Sequence, residues 1–266
     1  MVFAPVLSHL ALNYSWRTAA VFSGVIILSV SLPLALFIHR SPEERGLLPD
    51  GEPQNKVIEQ TNTLEHKTNV VDFKVKEALR TFAYWFLTLC ISVRILVTMA
   101  LSAHFIPILV WKGMSEATAA YLLSFYNLGS VLAMLAMGWI GDRWKKPFLC
   151  SLAMLTTTGC ILLVVFGPTT TAPYFLPIGL AITMGIVPLN WSLIGDFFGR
   201  QSYASLRGIM AVIYGIATFL SPIYAGWIFD LTGSYTMVLI SFSALLFLGA
   251  ILFAVLRRPY LYRRTI

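Results

Sequence analysis

The sequence predicts an all-α integral membrane protein with seven full transmembrane helices, and three observations carry that expectation. The first is composition. Of 266 residues, 58% are hydrophobic and only 12% are charged, where a soluble domain carries about 25% charged residues. The mean hydropathy is +0.77. So little charge cannot clothe a surface that faces water. The second is the set of uncharged runs, at 18–38, 95–111, 117–140, 147–195, 208–229 and 231–256. A helix needs roughly 20 apolar residues to cross hydrocarbon. The third is where the cations fall. Sixteen of the 19 Lys and Arg lie in the segment 40–80, the loops 141–147 and 196–207, and the tail after 256. These are alternate connections, so the bias places them and the C-terminus in the cytoplasm. It also accounts for the net charge of +7 without a nucleic-acid partner.

Residues 1–12 are apolar but too short to cross, and the first full span is 18–39. Residues 40–80 follow, with "SPEERGLLPDGEPQNKVIEQTNTLEHKTN" near their start. Pro, Gly, Asn, Gln and charges cannot bury a core, so this is a cytoplasmic linker. Its end, "VDFKVKEALRTFAYW" (71–85), is a short amphipathic approach to the second span. That span, 82–111, reaches full length only by including Arg94. The third is 117–140. The run 147–195 is too long for one crossing, and "GPTTTAP" (167–173) divides it into 148–166 and 174–195. The last two are 207–228 and 236–256. Cys90, Cys150 and Cys160 all fall inside spans, without metal-ligand or paired spacing. They are small apolar filler, and neither a cofactor nor a metal is called for. No Asp/Glu/His cluster stands at a membrane surface, so a membrane enzyme is not expected.

"GWIGDRWKKP" (138–147) joins two spans. It resembles the cytoplasmic signature loop of the major facilitator superfamily. Gly138, Asp142, Arg143 and Lys146 match the pattern, and Lys145 stands where the family has glycine. Gly138 lets two helices approach closely. Asp142 can accept hydrogen bonds from a helix N-terminus and pair with a cation, holding one state of a gate and releasing in another. "GDFFGRQSYASLRGIM" (195–210) resembles the family's loop between spans ten and eleven, and "GWIFDLTGSY" (226–235) its outer turn before the last span. "WRTAAVFSGVIILSVSLPLALFIHRSPEERGLLPDG" (16–51) resembles span six and the start of the central loop. The resemblance therefore maps the seven helices onto spans six to twelve of a bundle made of two six-helix halves. It implies that 1–39 is the end of one span plus one full span of an N-terminal half, 40–80 the linker, and 81–266 the six-helix C-terminal half. Most of the N-terminal half is then missing, and a partial gene, an internal start or a split transporter would each explain that.

Arg94 stands 12 residues into its span, roughly 18 Å deep in a hydrocarbon core of about 30 Å. An arginine at the midplane costs at least about 2.5–3.5 kcal/mol, so it faces a cavity or a partner. All 12 acids lie outside span interiors. The partner is then a carboxylate of an absent half or of the substrate, and a planar guanidinium suits bidentate carboxylate recognition. The stretch around Arg94 resembles the monocarboxylate and oxalate/formate branch of the superfamily, where an intramembrane arginine is associated with the substrate carboxylate. Thr98 shares the Arg94 face. Asn127 and Tyr126 lie near mid-depth of 117–140, and Tyr214 at mid-depth of 207–228. "PLNWS" (188–192) puts a kink-prone proline before Asn190. Each of these can line a pathway or simply bond between helices. His104, about 15 Å beyond Arg94, is either a gating or proton-linked group or an interfacial polar residue.

The expected function is secondary transport of small solutes by alternating access, with small organic anions as substrate. The expected partners are that substrate and the lipid bilayer; the coupling is either anion exchange or symport with a proton, and a split transporter would add an N-terminal half on a separate chain. The expected location is the plasma (inner) membrane. The alternatives are a seven-span receptor, or an inactive truncated fragment needing a partner half.

Overall fold

The computed structural model describes residues 13–37 and 72–259. The apolar stretch 1–12, most of the linker and the tail 260–266 lie outside the described residues. The chain divides into two compact units, Met1–Asn69 and Val70–Ile266.

The first unit contributes helix α1, Trp16–Ala35. The Ser15 side chain caps it by accepting from the Thr18 amide at 3.2 Å, which satisfies one of the amides a helix start leaves unpaired.

The second unit is a bundle of helices, with no strand among the described residues. A single turn, α2 (Val75–Ala78), precedes α3 (Phe82–Ala103). There follow α4 (Phe105–Trp111), α5 (Glu116–Gly141) and α6 (Lys146–Phe166). A 3₁₀ turn, Ala172–Tyr174, leads into α7 (Phe175–Gly185) and α8 (Val187–Phe198). Two long helices close the chain, α9 (Tyr203–Thr232) and α10 (Thr236–Val255). Seven of these segments, α1 included, are long and apolar enough to cross a membrane. The segmentation follows residue chemistry. Thr81 and Ser115 cap α3 and α5 through their hydroxyls. Gly199 and Gly233 end α8 and α9 with φ of 82° and 64°, a region side chains with a Cβ avoid.

Two spans are interrupted where continuous helices were expected. The expected span 82–111 breaks at His104, whose φ and ψ are −96° and 16°. The span through 174–195 breaks at Ile186, two residues before Pro188. A proline cannot donate to the residue four earlier, so the ladder is weakest there. The bend predicted from "PLNWS" therefore lies just before it.

Within the unit α6 packs along α10, α5 along α7, and α9 along α3. Small residues let the backbones close up. A Cβ on Gly141 would strike Leu189, and one on Gly179 would strike Cys160. Thr157 bridges α6 to α7, donating to the Gly179 carbonyl at 2.8 Å and pairing with the Thr183 hydroxyl. Close contact plus a hydroxyl bridge is how helices adhere in lipid, where apolar burial drives nothing. Gly138, expected to serve such an approach, does not: a Cβ there would meet nothing within 4 Å among the described residues. Gly141, one turn on, takes that role.

The segment 72–80, expected as the end of the linker, is docked on the bundle. Phe73 is buried and meets Phe198 edge-on at 5.5 Å. Its amide donates to the Phe198 carbonyl at 3.0 Å, and the Ser202 hydroxyl donates to its carbonyl at 2.7 Å. Asp72 Oδ1 accepts from the Arg200 amide at 2.9 Å.

Candidate functional site

The centre of the second unit is apolar, built from residues such as Leu87, Ile91, Leu101, Met154, Leu193 and Phe242. Inside it sits a group of polar side chains. Arg94, on α3, is 3% exposed. Cys150 on α6 and Tyr126 on α5 are titratable side chains near it. The Cys150 thiol donates to the Asn190 carboxamide oxygen at 3.4 Å, and Asn190, on α8, is fully buried. Four helices thus send polar groups toward one another at mid-bundle.

The group is under-satisfied. Arg94 Nε, Asn190 Nδ2 and Ser92 Oγ are all buried without a hydrogen-bond partner among the described residues. Each such atom costs about 1–3 kcal/mol. Arg94 has no ion pair among the described residues, where the one pair is Lys146 with Asp196. A buried charged donor without a carboxylate partner among the described residues, near the Cys150–Asn190 pair, is what an acceptor-rich anion would satisfy. Ser92, two positions from Arg94 on the same helix, points to another face.

The other predicted residues divide between this centre and the periphery. The Thr98 hydroxyl donates to the Arg94 carbonyl at 2.7 Å, so it is spent on its own helix. The Tyr126 hydroxyl pairs with Ser102 at 3.1 Å, and its ring stacks on Phe105. Asn127 is exposed, with Nδ2 bonded back to the Leu123 carbonyl. Tyr214 is half-buried and meets the Trp191 ring at 6.0 Å. Cys150, expected as filler, is instead a member of the polar group. Nothing in its spacing marked it, because the link runs across helices. Ser92 was legible only as a polar residue two positions from Arg94.

His104 joins three elements at the opposite end from the basic loops. Nε2 lies 3.1 Å from the Pro222 carbonyl, which can only accept, so this nitrogen carries the proton. In the neutral ring Nδ1 then accepts from the Tyr235 hydroxyl at 3.0 Å. Burial, and after it the Asp230 carboxylate, push the Tyr235 pKa up, which keeps the hydroxyl a donor. Gly226 leaves room for the ring: a Cβ there would stand 3.6 Å from His104 Cε1.

At the basic end Lys146 Nζ donates to Asp196 Oδ2 at 2.6 Å, joining the start of α6 to the end of α8. Arg143 folds back over the Trp139 ring at 3.8 Å and donates to the Trp139 carbonyl. Asp142 is exposed and caps α5 through its backbone. The ion pair that the signature loop was expected to make through Asp142 is made by Lys146.

Comparisons agree with this architecture. Over 253 aligned positions the chain is 25% identical to monocarboxylate transporter 12 of Xenopus laevis, covering 88% of this chain and 53% of that protein. The inner membrane transport protein YdiN of Escherichia coli is 26% identical over 170 residues, 59% of this chain and 40% of that protein. The membrane sensor protein UhpC of Salmonella typhimurium is 23% identical over 261 residues, 91% and 58% respectively. The chain spans about half the length of the curated relatives it matches. The Major Facilitator Superfamily model matches residues 1–222 and again 91–265, and this chain, an all-α protein with seven helices fit to span a membrane, belongs to that superfamily.

Proposed function

We propose that this chain belongs to a secondary transporter of small organic anions, working by alternating access in the plasma (inner) membrane with its basic loops and C-terminus in the cytoplasm. One observation carries the proposal: a guanidinium 3% exposed, with no carboxylate partner and its Nε unbonded among the described residues. A buried charge persists when something compensates it, and a carboxylate offers two acceptor oxygens in the geometry a guanidinium fits. Relatives named as monocarboxylate transporters support the substrate class.

In this scheme Arg94 anchors the carboxylate, Asn190 and Tyr126 complete its surroundings, and Thr98 fixes the backbone beside it. Asn127 and Tyr214 line the pathway outside the core. The Lys146–Asp196 pair, with Gly138, Asp142 and Arg143 on the same loop, is a contact that one state of the gate holds and the other releases. His104 gates the far end, and a proton is the coupling ion.

The test is thermal unfolding of the purified chain in micelles with lactate, pyruvate or acetate, using lactamide as the uncharged control. The carboxylates raise the melting temperature, lactamide does not, and R94Q loses the response. A carboxylate response that survives in R94Q sinks the assignment.

A further inference from the structure

At the basic end a cleft of about 560 Å³ opens between Trp191, Ser192, Gly195, Asp196, Arg200, Tyr203 and Arg258. The end of α8, the start of α9 and the segment just past α10 meet there. Three helices long and apolar enough to span a membrane end or begin there. The walls are mostly apolar and carry two aromatic rings, while the cations stand at the rim.

The charge balance is one-sided. Lys146 reaches in through Asp196. Arg207 lies over the Trp191 ring at 4.4 Å. Arg200 and Arg258 line the cleft, and neither guanidinium has an ion pair among the described residues. The nearby carboxylates are engaged: Asp196 holds Lys146, and Asp72 accepts from the Arg200 and Gln201 amides. Asp142 belongs to the α5–α6 turn and does not line the cleft. Two lining guanidinia, Arg200 and Arg258, against one lining carboxylate that is already paired with Lys146 leave an anion-attracting hollow whose interior is apolar.

We infer that this cleft holds an anionic phospholipid, with the headgroup phosphate between Arg200 and Arg258 and the upper acyl chain against Trp191 and Tyr203. A soluble anion would use the rim and leave the apolar walls in water. A lipid fills both, and basic pockets between spanning helices on the cytoplasmic side are suited to such headgroups. Interfacial Trp and Tyr sit at headgroup level for the same amphipathic reason. The inference rests on the orientation proposed above, but not on Arg94 or the transported solute.

The experiment places the whole chain in nanodiscs of phosphatidylcholine alone, or with phosphatidylglycerol added, and follows thermal unfolding. Phosphatidylglycerol shifts the melting temperature upward, since a ligand that binds only the folded state stabilises it. The R200Q/R258Q double variant folds in phosphatidylcholine and loses that shift. R257Q, which removes a neighbouring cation that does not line the cleft, keeps it. Three results overturn the inference: no difference between the lipids, a shift that persists in the double variant, or the same shift from glycerol phosphate added to phosphatidylcholine discs. The last would assign the cleft to a soluble anion. The carboxylate response of R94Q is read separately, so either proposal can fail alone.

Discussion

At the level of single residues, Arg94 separates what stabilises the bundle from what equips it. An isolated buried cation destabilises the fold around it, and replacing buried charge by an apolar side chain of similar volume is often stabilising by about 1–4 kcal/mol. R94M is therefore expected to unfold at higher denaturant than the unmodified chain while losing the carboxylate response. A drop in stability instead would mean that Arg94 has a structural partner. Sequence alone placed Arg94 at mid-depth and found no acid at that depth. It did not reveal that the side chain is buried in the six-helix unit near Cys150, whose thiol bonds Asn190. Those neighbours lie 56 and 96 positions away in the chain, and no local pattern joins them.

Among the elements, the docked segment before α3 and the first turn of α3 fasten to the turn between α8 and α9 and the start of α9. Asp72 holds the Arg200 amide, and the Tyr84 hydroxyl donates to the Leu206 carbonyl at 3.0 Å. In D72A the amides of Arg200 and Gln201 should exchange hydrogen faster, while amides in the middle of α10 keep their rates. Uniform acceleration along the chain would point to global loosening instead. The Lys146–Asp196 pair is partly solvated, with side chains 23% and 48% exposed. A double-mutant cycle on K146A and D196A should give a coupling below about 1 kcal/mol that shrinks with salt. Helix positions were legible because apolar runs and Gly/Pro breaks mark them. The break at His104 follows the same chemistry as that at Ile186: Pro107, three residues on, has no N–H to donate to the Ala103 carbonyl. The motif pointed to Gly138 for close packing, yet helix rotation presents Gly141 to Leu189.

Taken whole, the six-helix unit is unevenly covered. The spanning windows of α3 and of the α7–α8 segment are each 61% buried, but those of α5 and α9 only 11% and 17%. Phe125, Leu132 and Leu135 on α5, and Val212, Phe219 and Ile223 on α9, are exposed apolar side chains. The bilayer accepts such faces, and so would a partner half. Orientation is open to a direct check, because the three native cysteines are buried and contribute little background. An impermeant maleimide applied to intact cells should label T170C and spare W144C. The reverse pattern would invert the topology drawn from the basic loops.

The 30-residue helix α9 is roughly 45 Å long, half as long again as the hydrocarbon layer of about 30 Å. Its two charged residues past the ends of the apolar stretch, Arg207 and Asp230, are 23 positions apart, or roughly 35 Å. They act as the marks of a ruler: each must reach headgroups or water, and together they set how high the whole bundle rides in the membrane. In a bilayer much thinner than that interval α9 must lean, and the His104 contact with Pro222 would lean with it.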